Sequence, residues 1–493
     1  MLRTTLPIAE SFRPEYLSFY GVLPLVLDGT RLKVAVSGQP NADALDDLRQ
    51  SFAAELELVP VSAGELESAI QGAFAQQESI LQVVRDLDSA VGPASVNDDD
   101  TLTDVRSLVN EPPVVRFVNT LIREAYGARA SDIHLEAVAD GLRSRLRVDG
   151  VLGDLPPPPR ALQAAIVSRI KLLAELDIAE RRAPQDGRIR VRLDDRDLDL
   201  RVATMPTVHG ESVVLRLLDR GGRPVSLTDL GMAADTLAAF RLLAARPHGI
   251  VLATGPTGSG KSTSLYSALA LRDAVQEKII TVEDPVEYHL PGITQVPVRV
   301  KAGVTFAAAL RSILRQDPDV LMIGEMRDGE TASIAVQAAM TGHLVFSTLH
   351  TNDALSAVVR LADLGVEPYM IAATVEGIVA QRLVRRVCPG CVERYQADPA
   401  TVALLAKRPV ERIALSRGRG CVECRGTGYR GRVGLFELFS FTDEIKHAVA
   451  KGAGIDELRS LATRQGMQAL RDDGWHKVQA GLTTIDEVLR VAA

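Results

Sequence analysis

At 493 residues the chain is too long for one hydrophobic core, and roughly two to four domains are expected. Its 46% hydrophobic content excludes a disordered protein, and a net charge of −7 argues against nonspecific nucleic-acid binding. No apolar run approaches the roughly 20 residues that span a bilayer, and Met1–Ile8 lacks the apolar stretch of a secretory signal, so a cytosolic location is expected, with membrane association only through a partner.

Residues 1–75 mix strand-like runs (Leu23–Leu27, Leu32–Val36) with helical ones (Asp43–Glu55, Ala63–Phe74) and are expected to form a small α/β docking module. Residues 76–110 read as a linker, from Gly92-Pro93 and the acidic run Asn97–Asp100. A middle domain is expected over 111–222. It begins with a helix at Val114–Tyr126. A strand at Leu142–Val148 places Arg143, Arg145 and Arg147 on one face, and Asp149-Gly150 turns the chain. A helix at Arg160–Ala174 and strands at Ile189–Leu193, Leu198–Thr204 and Val213–Leu218 complete it, and Gly221-Gly222 with Pro224 marks a hinge. Over 227–493 strands alternate with helices, which predicts a parallel sheet with helices on its faces. The stretch after Glu437 is helical, and Trp475 is assigned to its core face.

Gly255-Pro256-Thr257-Gly258-Ser259-Gly260-Lys261-Ser262 reads G-x-x-x-x-G-K-S, with the apolar run Gly249–Thr254 before it and a helical stretch from Thr263 to Leu271 after it. Glycines let backbone N–H groups turn toward phosphate oxygens, and the helix N-terminus adds partial positive charge. Lys261 is expected to reach the β- and γ-phosphates of ATP and Ser262 to join a Mg²⁺ shell, with Thr263 completing the binding set.

Hydrolysis needs acids as well. Ile279–Val282 leads into Glu283-Asp284-Pro285 at a strand end, and Asp319–Ile323 leads into Gly324-Glu325, where an aspartate is the commoner residue. Glu283 is expected to help place the attacking water and Glu325 to support Mg²⁺ or water. His343 and His350 bracket the run Leu344–Leu349 and suggest a γ-phosphate sensor or a water-orienting group. The basic cluster Arg382-Leu383-Val384-Arg385-Arg386 reads as a solvated face.

GPTGSGKST, ITVEDPVE, LRQDPDVLMIGEMRD and TGHLVFSTLHTND together resemble the secretion-superfamily ATPases, the motors of type II secretion and type IV pili. Ser131–Glu136, Arg147–Gly150 and Pro184–Arg188 resemble the same family. The resemblance runs from Pro112 to the C-terminus. It implies an N-terminal domain, a PAS-like α+β middle domain and a RecA-like α/β P-loop motor domain, with nucleotide between the last two and a homohexamer as the active form. Under that resemblance Arg201 and Arg216 are expected phosphate contacts, and Arg311 and Arg315 further candidates.

Cys388-x-x-Cys391 and Cys421-x-x-Cys424 are the only cysteines. Two such pairs suit a tetrahedral, structural Zn²⁺ site in an insertion over 384–434; a redox pair is the alternative reading. Within the family the tetracysteine insertion and the short N-terminal segment point to the type II secretion ATPases (the GspE family). That implies docking on the cytoplasmic domain of an inner-membrane platform protein (GspL-like, GspF-like) and peripheral attachment there. The alternatives are a type IV pilus-assembly ATPase, or a zinc-dependent nucleic-acid or adaptor module with a vestigial phosphate loop.

Overall fold

The computed structural model describes residues 14–28, 31–38, 41–52, 54–75, 80–90, 112–193, 196–219, 226–406 and 413–492. The chain divides into two units. The first holds Met1–Val148, Leu152–Ile189 and Leu200–Leu217; the second holds Asp149–Val151, Arg190–Asp199 and Leu218–Ala493.

In the first unit, β1 (Val22–Asp28), β2 (Arg31–Val36) and β3 (Glu55–Pro60) form a sheet in the order β1-β2-β3. The β2–β3 pair is parallel, so the helix Ala42–Phe52 is its crossover. The helix expected over Asp43–Glu55 ends at Phe52, and β3 follows where no strand was expected. Much of β3 faces solvent, so Glu55 and Glu57 hide its strand character. The expected linker holds a helix, Ile80–Ala90, whose Ile80, Val83 and Leu87 are buried and whose Ile80 N–H donates to Glu124 at 3.2 Å. The stretch 91–110 and the expected hinge at Gly221-Gly222 lie outside the described residues, as does Met1–Ile8.

After the helix Pro112–Gly127 come β4 (Ala130–Val138), β5 (Gly141–Val148), β6 (Val151–Leu155), β7 (Gln185–Leu193), β8 (Arg196–Thr207) and β9 (Gly210–Asp219). They form one sheet in the order β6-β5-β4-β9-β8-β7, and the helix Gln163–Leu173 connects β6 to β7. Arginines on this sheet are spent on local acids. Arg216 Nε donates to the buried Asp132 at 2.9 Å, Arg147 lies 3.8 Å from the same carboxylate, and Arg145 pairs with Glu136. Lys171, fully buried, pairs with Glu211 and also donates to Glu180 O at 2.6 Å.

The second unit is built on β10 (Gly249–Thr254), β11 (Ile279–Glu283), β12 (Thr294–Pro297), β13 (Val320–Ile323), β14 (Leu344–Leu349), β15 (Val375–Val387) and β18 (Tyr429–Ser440), in the order β12-β11-β13-β14-β10-β15-β18. The sheet is parallel except for β18, which runs antiparallel to β15. Strands buried on both faces read as apolar runs rather than alternations, which is why Ile250-Val251-Leu252-Ala253 and Val320-Leu321-Met322-Ile323 are uninterrupted. Short strands β16 (Val392–Gln396) and β17 (Ala414–Gly418) pair within the cysteine-bearing insertion. Trp475 is 7% exposed and belongs to the core. Among the described residues no helix is long and apolar enough to cross a membrane.

Glu437, on β18 and 3% exposed, ties the sheet to the C-terminal helices. Its carboxylate accepts from Ala354 N at 2.9 Å and Leu470 N at 3.3 Å, the first residues of two helices, Ala354–Asp363 and Leu470–Gln479. Burial holds its carboxyl above the usual range, against these two N–H donors. One acid therefore satisfies orphan donors at two helix N-termini. Glu437→Ala leaves both donors buried and unpaired, and a loss of about 2 kcal/mol is expected. Urea denaturation followed by Trp475 fluorescence measures it, and an unchanged midpoint would refute the tie.

Candidate functional site

Parallel topology gathers the chemistry at one sheet edge. The phosphate loop follows β10, Glu283 ends β11, Glu325 follows β13 by two residues, and His350 follows β14. Because β10, β11, β13 and β14 run the same way, all four features emerge at the carboxyl ends of the strands, where ligands of open α/β sheets bind.

The loop Gly255–Gly260 opens the helix Lys261–Leu269. Gly258 and Gly260 have φ of 77° and 88°, a region that residues with a Cβ seldom adopt. Lys261 is 7% exposed, and its Nζ donates to Gly255 O at 2.8 Å and Pro256 O at 3.0 Å. Among the described residues no carboxylate lies within ion-pair distance of it. Burial lowers its pKa to about 8; Glu325 opposes the shift and Arg382 adds to it. Ser262 and Thr263 stand at the first turn of the helix, with Ser262 exposed.

Glu325, 9% exposed, accepts from Arg327 Nε at 2.7 Å and lies 3.3 Å from His350 Nε2. Its strand end is stitched to that of β14: Met326 N donates to Thr348 O at 3.0 Å, and Thr348 Oγ1 to Gly324 O at 2.7 Å. The segment after His350 is stitched to β10, with Thr351 N donating to Thr254 Oγ1 at 3.0 Å. Lys261, Glu325 and His350 thus belong to one connected edge.

Glu283 is held differently. Its buried carboxylate accepts from Tyr266, Thr281 and Gln295 Nε2, the last at 3.1 Å. Tyr266 stands on the helix that follows the phosphate loop, so Glu283 braces that helix. Burial first and the Glu283 charge second hold the phenols of Tyr266 and Tyr288 protonated, Tyr288 pushed up to about 12.

His343 does not join the site. It precedes β14, whereas His350 follows it, and the intervening strand puts roughly 20 Å between them at 3.3 Å per residue. Its Nδ1 lies 2.8 Å from Ala338 O and 3.1 Å from Thr341 Oγ1, which makes it a helix-to-strand connector. Sequence spacing could not separate the two histidines, because both flank the same strand. Arg201, half-buried on β8, and Arg216, paired with Asp132, belong to the first unit. Arg311 pairs with Glu330, and Arg315 donates to Arg311 O at 2.7 Å, both at exposed positions.

The basic cluster at 382–386 is a solvated face only at Arg386, which is exposed. Arg382 is 8% exposed beside the phosphate loop, and Arg385 pairs with Glu487 at 2.7 Å. Gln381 and Arg382 were missed because only the strand pairing of β15 with β10 brings them to the loop.

Cys388, Cys391, Cys421 and Cys424 bring their sulfurs within 4.8 Å of one another. The Cys388–Cys421, Cys391–Cys424 and Cys421–Cys424 separations are 3.8, 3.8 and 3.7 Å. Zn–S bonds of about 2.3 Å give a tetrahedral edge of about 3.8 Å, so the sulfurs fit a Zn²⁺ ion. Backbone N–H groups of Gly420, Cys421 and Gly428 point at Cys391 and Cys424 sulfurs at 3.1–3.3 Å and favour thiolate character.

Residues 107–490 match the family model described as type II/IV secretion system protein, and residues 3–80 match the MshEN domain. The chain is 49% identical to type II secretion system protein HxcR of Pseudomonas aeruginosa, over 91% of this chain and 92% of that one. It is 42% identical to the type IV pilus assembly ATPase PilB of Myxococcus xanthus, over 95% and 83%. The crystal structure of the pilus retraction motor PilT with bound ADP is similar at a TM-score of 0.52 and 26% identity, covering 75% of this chain and 95% of that one.

Lys261 can attract an anion only while it is charged. Its ammonium is present below a pKa of about 8 and lost as pH rises through it. ADP affinity is therefore expected to be flat below about pH 7 and to fall above about pH 8, by up to about tenfold per pH unit. A fluorescent-ADP titration measures this, and an affinity constant to about pH 9 would contradict the burial of this lysine.

Proposed function

Because the chain belongs to the type II/IV secretion system protein family, we propose that it is an ATP-hydrolysing motor that drives pseudopilus assembly and protein export by a type II secretion system. The observation that carries the reading is the convergence of the Gly255–Ser262 loop, Glu325 and His350 on one sheet edge. Relatives named for type II secretion span 42–50% identity and the pilus-assembly ATPases stand at 42%, so the secretion machine is favoured by the upper part of that range. Pilus assembly remains the second reading, with the same chemistry.

In this reading the second unit is the RecA-like motor and the six-stranded sheet the PAS-like domain. Backbone N–H groups of Gly255–Gly260 cradle the phosphates, and Lys261 leaves its carbonyl partners for the β- and γ-oxygens. Ser262 and Glu325 would hold Mg²⁺, which neutralises charge on the β- and γ-oxygens when bound. Glu325 and His350 orient the attacking water; Glu283 keeps the helix after the loop in place from β11, and any part in placing that water passes through Tyr266. Arg201 and Arg216 rest on the family likeness as phosphate contacts. The four cysteines hold Zn²⁺ structurally, since four thiolates leave no open position. The working form is a homohexamer in the cytoplasm, attached to the inner membrane through the cytoplasmic domain of a platform protein that the N-terminal module meets.

Lys261→Ala is expected to abolish ADP binding and turnover. Glu325→Gln should keep binding within about threefold and lower kcat at least about 100-fold. ATPase assays with and without the cytoplasmic domains of type II secretion and pilus platforms distinguish the two machines, and turnover retained by Lys261→Ala would overturn the site. Metal analysis should find about one zinc per chain, lost in Cys421→Ser; unchanged zinc in that variant would remove the metal assignment.

A further inference from the structure

Strand β15 does more than extend the sheet. Its register with β10 pairs Ala380 with Thr254, the last residue before the phosphate loop. Gln381 and Arg382 therefore run alongside the loop itself. A Cβ at Gly255 would stand 2.4 Å from Gln381 O and 3.1 Å from Arg382 Nη1, and one at Gly260 would stand 2.7 Å from Gln381 Nε2. Two of the loop glycines are thus required by these neighbours as well as by phosphate.

Gln381 is fully buried. Its Oε1 accepts from Ser264 Oγ at 2.7 Å, one turn into the helix that the loop opens. Its Nε2, and Ser259 Oγ within the loop, have no hydrogen-bond partner among the described residues. Arg382 is 8% exposed, and no carboxylate among the described residues lies within ion-pair distance. Its Nη2 donates to Asn352 O at 2.7 Å and Asn352 Oδ1 at 3.3 Å, and its Nη1 to Gln381 O at 3.3 Å. Asn352 is two residues beyond His350. A buried cation held only by neutral acceptors is costly unless its position serves something. Here it ties β15, the strand that runs alongside the loop, to the segment that follows His350.

We propose that Arg382 is a positioning residue that fixes the His350–Asn352 segment against the phosphate loop, while Gln381 on the same strand sets the shape of the loop. The inference rests on the nucleotide site assigned above. Its consequences differ for the two residues. Gln381 acts on ground-state binding, because it touches the loop and its helix. Arg382 acts on the chemical step, because it touches the segment that carries His350.

The test uses the full chain, fluorescent ADP and steady-state ATP hydrolysis. Gln381→Ala is expected to weaken ADP binding and raise KM about tenfold with kcat within about threefold. Arg382→Ala is expected to lower kcat at least about tenfold with ADP affinity within about threefold, since a small misplacement of a reacting group costs rate. The double variant Arg382→Ala/His350→Ala should lose no more than His350→Ala alone, because both act through one element. Losses that multiply, or an Arg382→Ala kcat equal to wild type, would overturn the proposal. If Arg382→Ala lowers the Trp475 urea midpoint, Arg382→Lys replaces it, with the same double-variant criterion and a smaller loss. Lys261→Ala separates the two levels: if it binds ADP normally the nucleotide site itself is wrong, whereas if it does not bind and the losses multiply, only the role of Arg382 fails.

Discussion

A buried ammonium group with only carbonyl acceptors is the constraint around which the second unit is arranged. Lys261 is removed from water, yet its hydrogen-bond partners are Gly255 O and Pro256 O rather than a carboxylate. Glu325 is close enough to favour its charge, and Arg382 close enough to oppose it. Such a group is held at a cost that an incoming polyphosphate can offset. A tight Lys–carboxylate pair would have made the same lysine useless for this purpose, because the anion would have to break it.

The sheet order makes the arrangement possible. With β14 between β13 and β10, the acid after β13 and the histidine after β14 come to the edge where the loop after β10 emerges. Side-chain bonds lock those strand ends together: Thr348 to Gly324 O, Thr351 to Thr254, and Arg382 to Asn352. The first two join neighbours in the sheet and the third reaches from β15 across β10 to the segment after β14, so a shift at one strand end is transmitted to the others. Glu283 and Glu437 lie outside this chain of contacts and serve rigidity, one bracing the helix after the loop and the other holding two helix N-termini.

Local chemistry was the legible part of the sequence. The phosphate loop, the acids at strand ends and each Cys-x-x-Cys pair stand out within a dozen residues, because each depends on backbone conformation or ligand spacing near at hand, although 29 residues lie between the two cysteine pairs. The parallel sheet was legible from the alternation of strands with helices after Leu227. What the sequence hid depends on register. Nothing local marks Gln381 and Arg382 as neighbours of Gly255, 126 and 127 residues earlier; the pairing of β15 with β10 decides it. His343 and His350 look equivalent until strand direction separates them. Strand β3 was hidden by glutamates on an exposed face, and the helix Ile80–Ala90 by the linker-like composition that follows it.

The most direct test of the central claim is hydrogen–deuterium exchange of the full chain with and without Mg²⁺–ADP. Protection is expected at Gly255–Thr263, Gly324–Arg327, His350–Asn352 and Gln381–Arg382 together, since these segments form one connected edge. Protection confined to Gly255–Thr263, with the other three segments unchanged, would contradict the claim that the strand ends respond to nucleotide as a unit.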